Sequence, residues 1–594
     1  MADAKLTDPM VKYVSAEFVR YRNFHSERFE KAKKIIKYWH NEIPKKGYSW
    51  QNNINVPLMV EGEQTITPRL FTALFPTDAP MDVHVEGDAP EEQGIRIKGI
   101  IQHHFRVANV QTEAYPGLTQ CTLVGTGYVD GGSWYVRKGW QVEPKTQERY
   151  LASLESRPDA RFVDYFEMFP HPAKLRMNDP LPLIRRQFID EETLKKMAMD
   201  SRFDSQNLAD ALKTEAPEPT MKYNQTQAKE YEILHYWGPW DETYKEGDKT
   251  KKRLAVPYWI IVVNRSVKLR GIPNPYNHQI PPFCKMTLFV DPKPCWFGVG
   301  VGQVGMPTQE RINKVVNTRL DNIDLILNKQ GCYNGNDPLI NTKKLQLSEP
   351  GKWHKVSDTV ASLRWMDIPD VTASSYKEEE VAKNDFREAT GAIANLMPEV
   401  GSEHRTAMGI QLLQGAAGMR FRPVLRRLEI DLIQQLAMFY FSNLKQFMTE
   451  NEWVLITGKN GRQQPVMITP EQIQAKVFFI PTGVSETINK ETMVGQLLRY
   501  KEITTNDPTI NRQEINKRIA ELMGFKDLDK LLTPMQQTRG TGALTTNDML
   551  SIQQRMGEGA TPEQIKAEML GPRGAGQVPP GVMAQMQGQG QGQR

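Results

Sequence analysis

Apolar positions recur at helical spacing through much of the chain, and the places where the period changes mark its elements. Over residues 8–40, Val14, Phe18, Tyr21, Phe29, Ala32 and Ile36 line up on a charged background, the pattern of one or two surface helices. "TPRLFTALFP" and "IRIKGIIQHHFRVANVQ" keep that period, whereas "CTLVGTGYVDGGSWYVRKGWQV" reads as a hairpin turning at "DGG". A polar helical stretch rich in Lys, Asp and Glu occupies 181–222. "EYEILHYWGPW", "RLAVPYWIIVVNRSVKLRGI" and "KMTLFV" then read as strands separated by Pro, Gly and Asn. The predicted class is α+β.

A long helix follows. From Pro307, with Glu310 near its start, Ile312, Val315, Val316, Leu320, Ile323 and Leu327 recur at three- and four-residue steps, with Arg311, Lys314, Asn317, Arg319, Asn322 and Asp324 on the other side. Residues 307–329 make a rod of about 35 Å. Gly331, Asn334, Gly335 and Pro338 forbid its continuation, and a small insert with strand-like runs follows. In "SSYKEEEVAKNDFREATGAIANL", Ser375 and Glu378 have capping-box spacing and open a return helix with a thin stripe of Ala382, Phe386, Ala389 and Ile393. A lone hairpin of these two helices buries too little to be stable, so its partner is expected outside the chain.

After a loop marked by Pro398 and Gly401, residues 406–449 carry one continuous stripe from Ile410 to Phe447. Pro423 interrupts it. Its ring removes a backbone hydrogen bond at about 3 kcal/mol, which predicts a kink at 419–423 or two helices meeting there. Residues 451–485 read as strands, with "TGKNGR" turning between "EWVLI" and "QPVMI". "NKETMVGQLLRYKEI", "INRQEINKRIAELMGF" and "NDMLSIQQRM" read as short helices, and the Gly/Gln/Pro-rich tail from 571 is expected to be disordered.

Charge changes this picture little: 75 basic against 70 acidic side chains leave a net +5 over 594 residues, no signature of a nucleic-acid coat. The length suggests several folding units. The four cysteines, Cys121, Cys284, Cys295 and Cys332, lack CxxC spacing, so neither a disulfide framework nor a zinc site is expected. The N-terminus lacks a basic segment before an apolar core, and "WIIVV" is too short to span a bilayer, so a soluble, unexported chain is expected.

Enzyme signatures are weak. "GVGQVG" at 300–305 fits GxGxxG, yet "DPKPCWF" is no buried strand and Asp321 lies inside the helix, so the glycines read as a flexible lead-in to that helix. "TGKNGR" lacks phosphate-loop spacing. His103 and His104 have no acid at ligand spacing. No nucleophile, base and orienting acid are grouped by motif, so no catalytic residue, cofactor or metal is assigned.

The order of these pieces is informative. A mixed α/β body, "YW…NPY…PPF", the "GVGVGQVGMPTQERINKVVNTRLDN" helix, an insert, a return helix, a loop and the "RTAMGIQLL" helix together resemble the portal proteins of tailed bacteriophages. The resemblance runs from about residue 50 to 535 and is nearest to short-tailed phages with a large wing, through "VPLMVEGEQTITPRLFTALFP" and "VGTGYVDGGSW". It implies a wing (1–306), a first stem helix (307–330), a clip (331–373), a second stem helix (374–394) and a tunnel loop (395–405). A long kinked helix with returning wing strands (406–500), a helical crown (501–570) and the tail (571–594) complete it.

Such proteins act as homo-oligomeric rings, usually dodecamers, at one capsid vertex of the virion. By resemblance the expected partners are double-stranded DNA in the channel, the terminase large subunit, major capsid and scaffolding proteins and a head-to-tail adaptor, with assembly in the host cytoplasm and no membrane. The neighbouring copy is then the missing partner of the two helices. Lys377, Lys383, Arg387, Glu399, Glu403, His404 and Arg405 become candidate tunnel-lining residues, and Lys343, Lys344, Trp353, His354 and Lys355 candidate clip contacts. Mixed signs suit sliding, because many tight phosphate contacts would resist translocation. The alternatives are another head-to-tail joining ring or a DNA-packaging enzyme.

Overall fold

The computed structural model describes residues 8–42, 48, 50–77, 80–86, 90–143, 147–198, 205–217, 229–246, 249–328, 331–341, 343, 353, 355–360, 362–366, 369–370, 372–392, 421–457, 463–482, 494, 497–501, 503 and 512–522. They form two units, 1–492 and 493–594.

Residues 8–40 form one helix, α1 (Pro9–Trp39). Asp8 caps it, its carboxylate accepting from the Met10 N–H at 2.8 Å, and Pro9 sits where a missing N–H costs nothing. The stripe is a core stripe and not a surface one: Val11, Val14, Phe18, Tyr21, Phe29, Ala32 and Ile35 are buried. The face lies against an antiparallel sheet in the order β10-β9-β8-β7-β6, from β6 (Met168–Pro170), β7 (Leu183–Asp190), β8 (Glu230–Glu246), β9 (Lys249–Val263) and β10 (Val267–Pro273). Leu234, Tyr236, Ile260 and Val262 face α1. Ile233, Ile261 and Val263 face the opposite way onto Leu194 of α5 (Glu191–Ala198) and Ala211 of α6 (Ser205–Ala211). Burial on both faces explains why "WIIVV" is apolar without alternation. Thus the polar stretch at 181–222 begins with a strand, β7, and only then turns helical, because Leu183 and Ile184 belong to this core.

A second layer contains α2 (Leu58–Leu74), β1 (Met81–Val85), α3 (Glu91–Val107) and α4 (Val110–Val124). The "DGG" hairpin is corrected. β2 (Thr126–Asp130) and β3 (Trp134–Val142) do not pair with each other: β2 lies between β5 (Arg161–Val163) and β11 (Phe283–Thr287), whereas β3 pairs with β4 (Arg149–Pro158). The N–H groups of Gly131 and Gly132 both donate to the Pro282 carbonyl, at 3.1 and 2.9 Å, so the turn passes the chain between sheets. Alternation identified the strands but carried no information on their partners.

The predicted long helix is described from Phe421 onward as α9 (Arg422–Leu428), a π-helical turn at Glu429–Gln434 and α10 (Gln435–Phe447). Pro423 stands in the first turn of α9 as described. Within the described rod there is a π turn, beginning six residues beyond the proline, and the part of the predicted kink before Phe421 lies outside the described residues. Val424, Leu428, Leu432, Leu436, Tyr440 and Leu444 are buried as the stripe predicts. Among the described residues three strands follow: β14 (Glu452–Thr457) and β15 (Gln463–Ile468) pair antiparallel, the predicted turn at 458–462 lying outside the described residues, and β16 (Val477–Pro481) returns to pair with β1. In the second unit α11 (Arg512–Leu522) forms within the predicted helical stretch; the tail from 571 lies outside the described residues.

Candidate functional site: the paired helices and their insert

The first helix of the pair, α7 (Val301–Leu327), begins six residues before Pro307. Gly300 caps it, and Gly302 and Gly305 lie inside it as packing positions. A Cβ on Gly302 would stand 2.4 Å from Ile35 Cγ2 and one on Gly305 2.3 Å from Phe386 Cε2. The glycines are thus close-approach points rather than a flexible lead-in, and this local need reproduces GxGxxG spacing without a nucleotide fold.

A polar stripe of α7, of which the pattern places only Asn317, opposite the apolar face, is largely buried. Gln309, Asn313, Asn317 and Asp321 recur every fourth residue and grip an extended strap, residues 52–57, that leads into α2. Asp321 Oδ1 accepts from the Asn52 N–H at 2.6 Å and Asn317 Oδ1 from the Ile54 N–H at 2.7 Å. Asn313 Oδ1 accepts from the Val56 N–H at 2.9 Å, and Gln309 Nε2 donates to the Val56 carbonyl at 2.6 Å. The periods match: two strand residues advance about 6.6 Å and four helical residues about 6.0 Å, so alternate strap residues meet successive turns. A period-four polar stripe beside "QNNIN" was the signal available in the sequence.

The return helix α8 (Ala373–Thr390) ends at Gly391 in the left-handed region, φ 79°. The expected capping box does not form. Thr372 is the N-cap residue, and the Ser375 hydroxyl donates to the Thr372 carbonyl at 2.5 Å. Phe386 is fully buried, its ring between Gly305 and Gly62; a Cβ on Gly62 would lie 3.2 Å from Cε1. Tyr38, Leu58, Met59, Ile312, Val316 and Ala382 complete this cluster. The chain itself therefore covers the proximal half of the stripe, which corrects the expectation that all cover comes from outside: the start of α2 supplies it. Distally, Leu327 is 74 % exposed and Tyr376 57 %.

Ion pairs line the two helices. Arg311 bonds Glu378 and Asp385 at 2.5 and 2.8 Å, and Arg319, stacked over Tyr376, bonds Glu379 at 2.7 Å. The Lys383 ammonium also donates to Glu379, at 2.7 Å, and holds its carboxyl below the ordinary range against the opposing effect of burial. Arg387 reaches Glu61 of α2 at 2.7 Å.

Between the helices, β12 (Gly331–Tyr333) and β13 (Leu363–Trp365) pair over three residues. Asp337 supplies most of the described fastening: its carboxylate accepts from the Ser357 and Ser362 hydroxyls, both at 2.5 Å, and from the Ser357 and Leu339 N–H groups at 2.9 and 3.0 Å.

Of the candidate tunnel residues, Lys377 is exposed on α8, while Lys383 and Arg387 are engaged within the chain by Glu379 and Glu61. Glu399, Glu403, His404 and Arg405 lie outside the described residues. Among the clip candidates Lys343, Trp353 and Lys355 are exposed, Trp353 to 96 %, and Lys344 and His354 lie outside. No group of three or more His, Cys, Asp or Glu side chains is placed to hold a metal among the described residues, and no described helix is long and apolar enough to cross a membrane.

The model of the phage SU10 portal protein family matches residues 153–572, a span that contains both helices, the insert and the long rod. The chain belongs to this family of tailed-phage portal proteins. That assigns it to a structural rather than an enzymatic class. A comparison with curated proteins returns no match. In this portal chain the buried polar face of α7 and the Asp337 knot are therefore features of a structural unit, built for holding segments together.

Proposed function

We propose that this portal protein forms a closed ring at one capsid vertex of the virion, a dodecamer through which double-stranded DNA is packaged and later ejected. In this reading α7 and α8 are the stem, the β12–β13 insert is the clip, and the tunnel loop, 395–405, faces the channel. The terminase large subunit and then a head-to-tail adaptor dock on the clip. Major capsid and scaffolding proteins surround the wing, and assembly takes place in the host cytoplasm.

The supporting observation is the half-covered helix pair. Its proximal half is buried against α2, while its distal half, with the insert, presents Leu327, Tyr333, Tyr376 and Trp353 to solvent. In a ring each subunit offers one flank to each neighbour, so an apolar surface unfinished in one chain is completed by the next. Lys383 and Arg387 are paired within the subunit, so these two described cations are not free to hold phosphates, which suits sliding DNA.

Native mass measurement with negative-stain imaging tests this. Rings near twelve times 67.9 kDa with a central hole are expected. A chain that stays monomeric at all concentrations, with scaffolding and capsid proteins present, would rule the ring out.

A further inference from the structure

The two halves of the α7–α8 pair are attached to the body by different chemistry. Near its proximal end the attachment is apolar and closed: the Phe386 ring between Gly62 and Gly305, with Ile312, Val316 and Ala382 around it. Distal to Asn317 no described residue of α7 is buried, and on α8 none is between Ala373 and Val381. There the helices are tied to each other by Arg319 and Glu379, and the strap supplies the hydrogen bonds that join them to the body: Asn317 to Ile54, and Asp321 and Asp324 to Asn52.

We infer that the helix pair is hinged, with Phe386 in its glycine socket as pivot and the strap 52–56 as a latch that holds, and on release frees, the distal half of α7 and α8. Three features carry this. On its two glycine sides the ring lies against backbone with no Cβ to climb over, so small rotations about it preserve its burial. The rungs join buried amides of α7 and the part-buried Asp321 to a strap whose outer side is open, Ile54 being 49 % exposed, so water can take over the strap's half of each bond on release, whereas the pivot's apolar cover has no such substitute. A cleft of about 600 Å³ lies beside the strap, lined by Trp50, Gln51, Asn53, Thr318, Asp321 and Leu325, and gives the released strap room to move. Because the rungs are spaced one per turn, losing one weakens the next, and release is a single step.

Hydrogen exchange and spin-label distances on the full chain test this without reference to its role in the virion. The amides of Asn52, Ile54 and Val56 should exchange together and at least about tenfold faster than those of Ile312 and Val316. Asn313→Ala with Asn317→Ala should accelerate the strap further and leave α1 unchanged. Labels at Lys33→Cys on α1 and Lys377→Cys on distal α8, with Cys295 and Cys332 replaced by Ser and labelled chains diluted in unlabelled ones, should give one distance in the parent and a second when the ladder is cut. Should the double substitution prevent folding, Asp321→Ala removes the acceptor of the distal rung alone and should populate the same second distance. A single distance in a folded ladder variant would overturn the hinge and make the strap a passive brace. A second distance appearing equally with the ladder intact and Phe386→Leu would overturn the assignment of the latch.

Discussion

Asn317 holds the peptide on both sides of Ile54: its Oδ1 accepts from the Ile54 N–H at 2.7 Å and its Nδ2 donates to the Ile54 carbonyl at 2.8 Å. A side chain thereby plays the part of a neighbouring strand, and an extended segment with no sheet partner has its backbone satisfied by a helix. The same device recurs one turn away at Asn313 and Gln309.

Asn317→Ala removes both bonds and leaves the Ile54 peptide part-buried, so a loss of about 1–3 kcal/mol is expected in denaturant unfolding. Asn317→Asp retains the acceptor but sets a carboxylate against the Ile54 carbonyl, and should be at least as damaging near neutral pH. An aspartate variant as stable as the parent would show that the carbonyl contact contributes nothing.

Gly305→Ala places a methyl 2.3 Å from the Phe386 ring, while Gly335→Ala meets nothing within 4 Å. The first should lower the thermal midpoint by the equivalent of about 1–3 kcal/mol and the second should leave it unchanged. Because the clash is with one ring, Phe386→Leu combined with Gly305→Ala should recover part of the loss. A double variant no better than the sum of the singles would mean that the helices, not the ring, absorb the methyl.

Periodicity located most elements of this fold because it records which face is buried: the stripe of α1, the two-sided apolar strands β8 and β9 and the rod from Val424 to Leu444 were all legible. Most of what it missed has one cause. Gln309, Asn313 and Asn317 are polar and buried, and a hydropathy pattern assigns polar residues to solvent unless their partner is known; here the partner lies about 260 residues away in sequence. The "DGG" turn failed similarly, a local rule displaced by the distant strand β11, whereas the Ser375 capping box failed locally, because the helix starts earlier, at Ala373, and the Ser375 hydroxyl donates to the Thr372 carbonyl. The order of stem-like helix, insert and return helix survived these errors because it depends only on element type and sequence.

Burial, opposed by Lys285 and Arg427, pushes the Asp431 carboxyl up to about 6 from an ordinary 3.8. For an acid whose folded value is raised, the stabilising contribution is full below the unfolded value and is lost as pH rises through the folded one. Asp431 should therefore cost stability progressively between about pH 4 and 6, on the order of 2–3 kcal/mol in all. Asp431→Asn removes that slope, so the variant should gain on the parent as pH is raised across this window and hold its advantage above it. Parallel midpoint curves for the two proteins would show that the carboxylate is adequately solvated in the π turn.

Asp337 has the opposite sign. The Ser357 hydroxyl first, then that of Ser362 and the Ser357 and Leu339 N–H groups, hold its carboxyl well below the ordinary range. An acid with a depressed folded value contributes stability above its unfolded value and loses it only as pH falls through the folded one. Amide protection at Leu339 and Ser357 should thus persist as pH is lowered through the ordinary carboxylate value of 3.8 and disappear only in stronger acid. Asp337→Asn, which can offer only one acceptor oxygen to four donors, should loosen the insert at every pH: trypsin should cleave after the exposed Lys343 about tenfold faster, with α1 and the five-stranded sheet still protected. Cleavage at the parental rate would mean that the three-residue β12–β13 ladder alone holds the insert together. With so short a ladder and the carboxylate accepting four bonds, the knot at Asp337 should dominate.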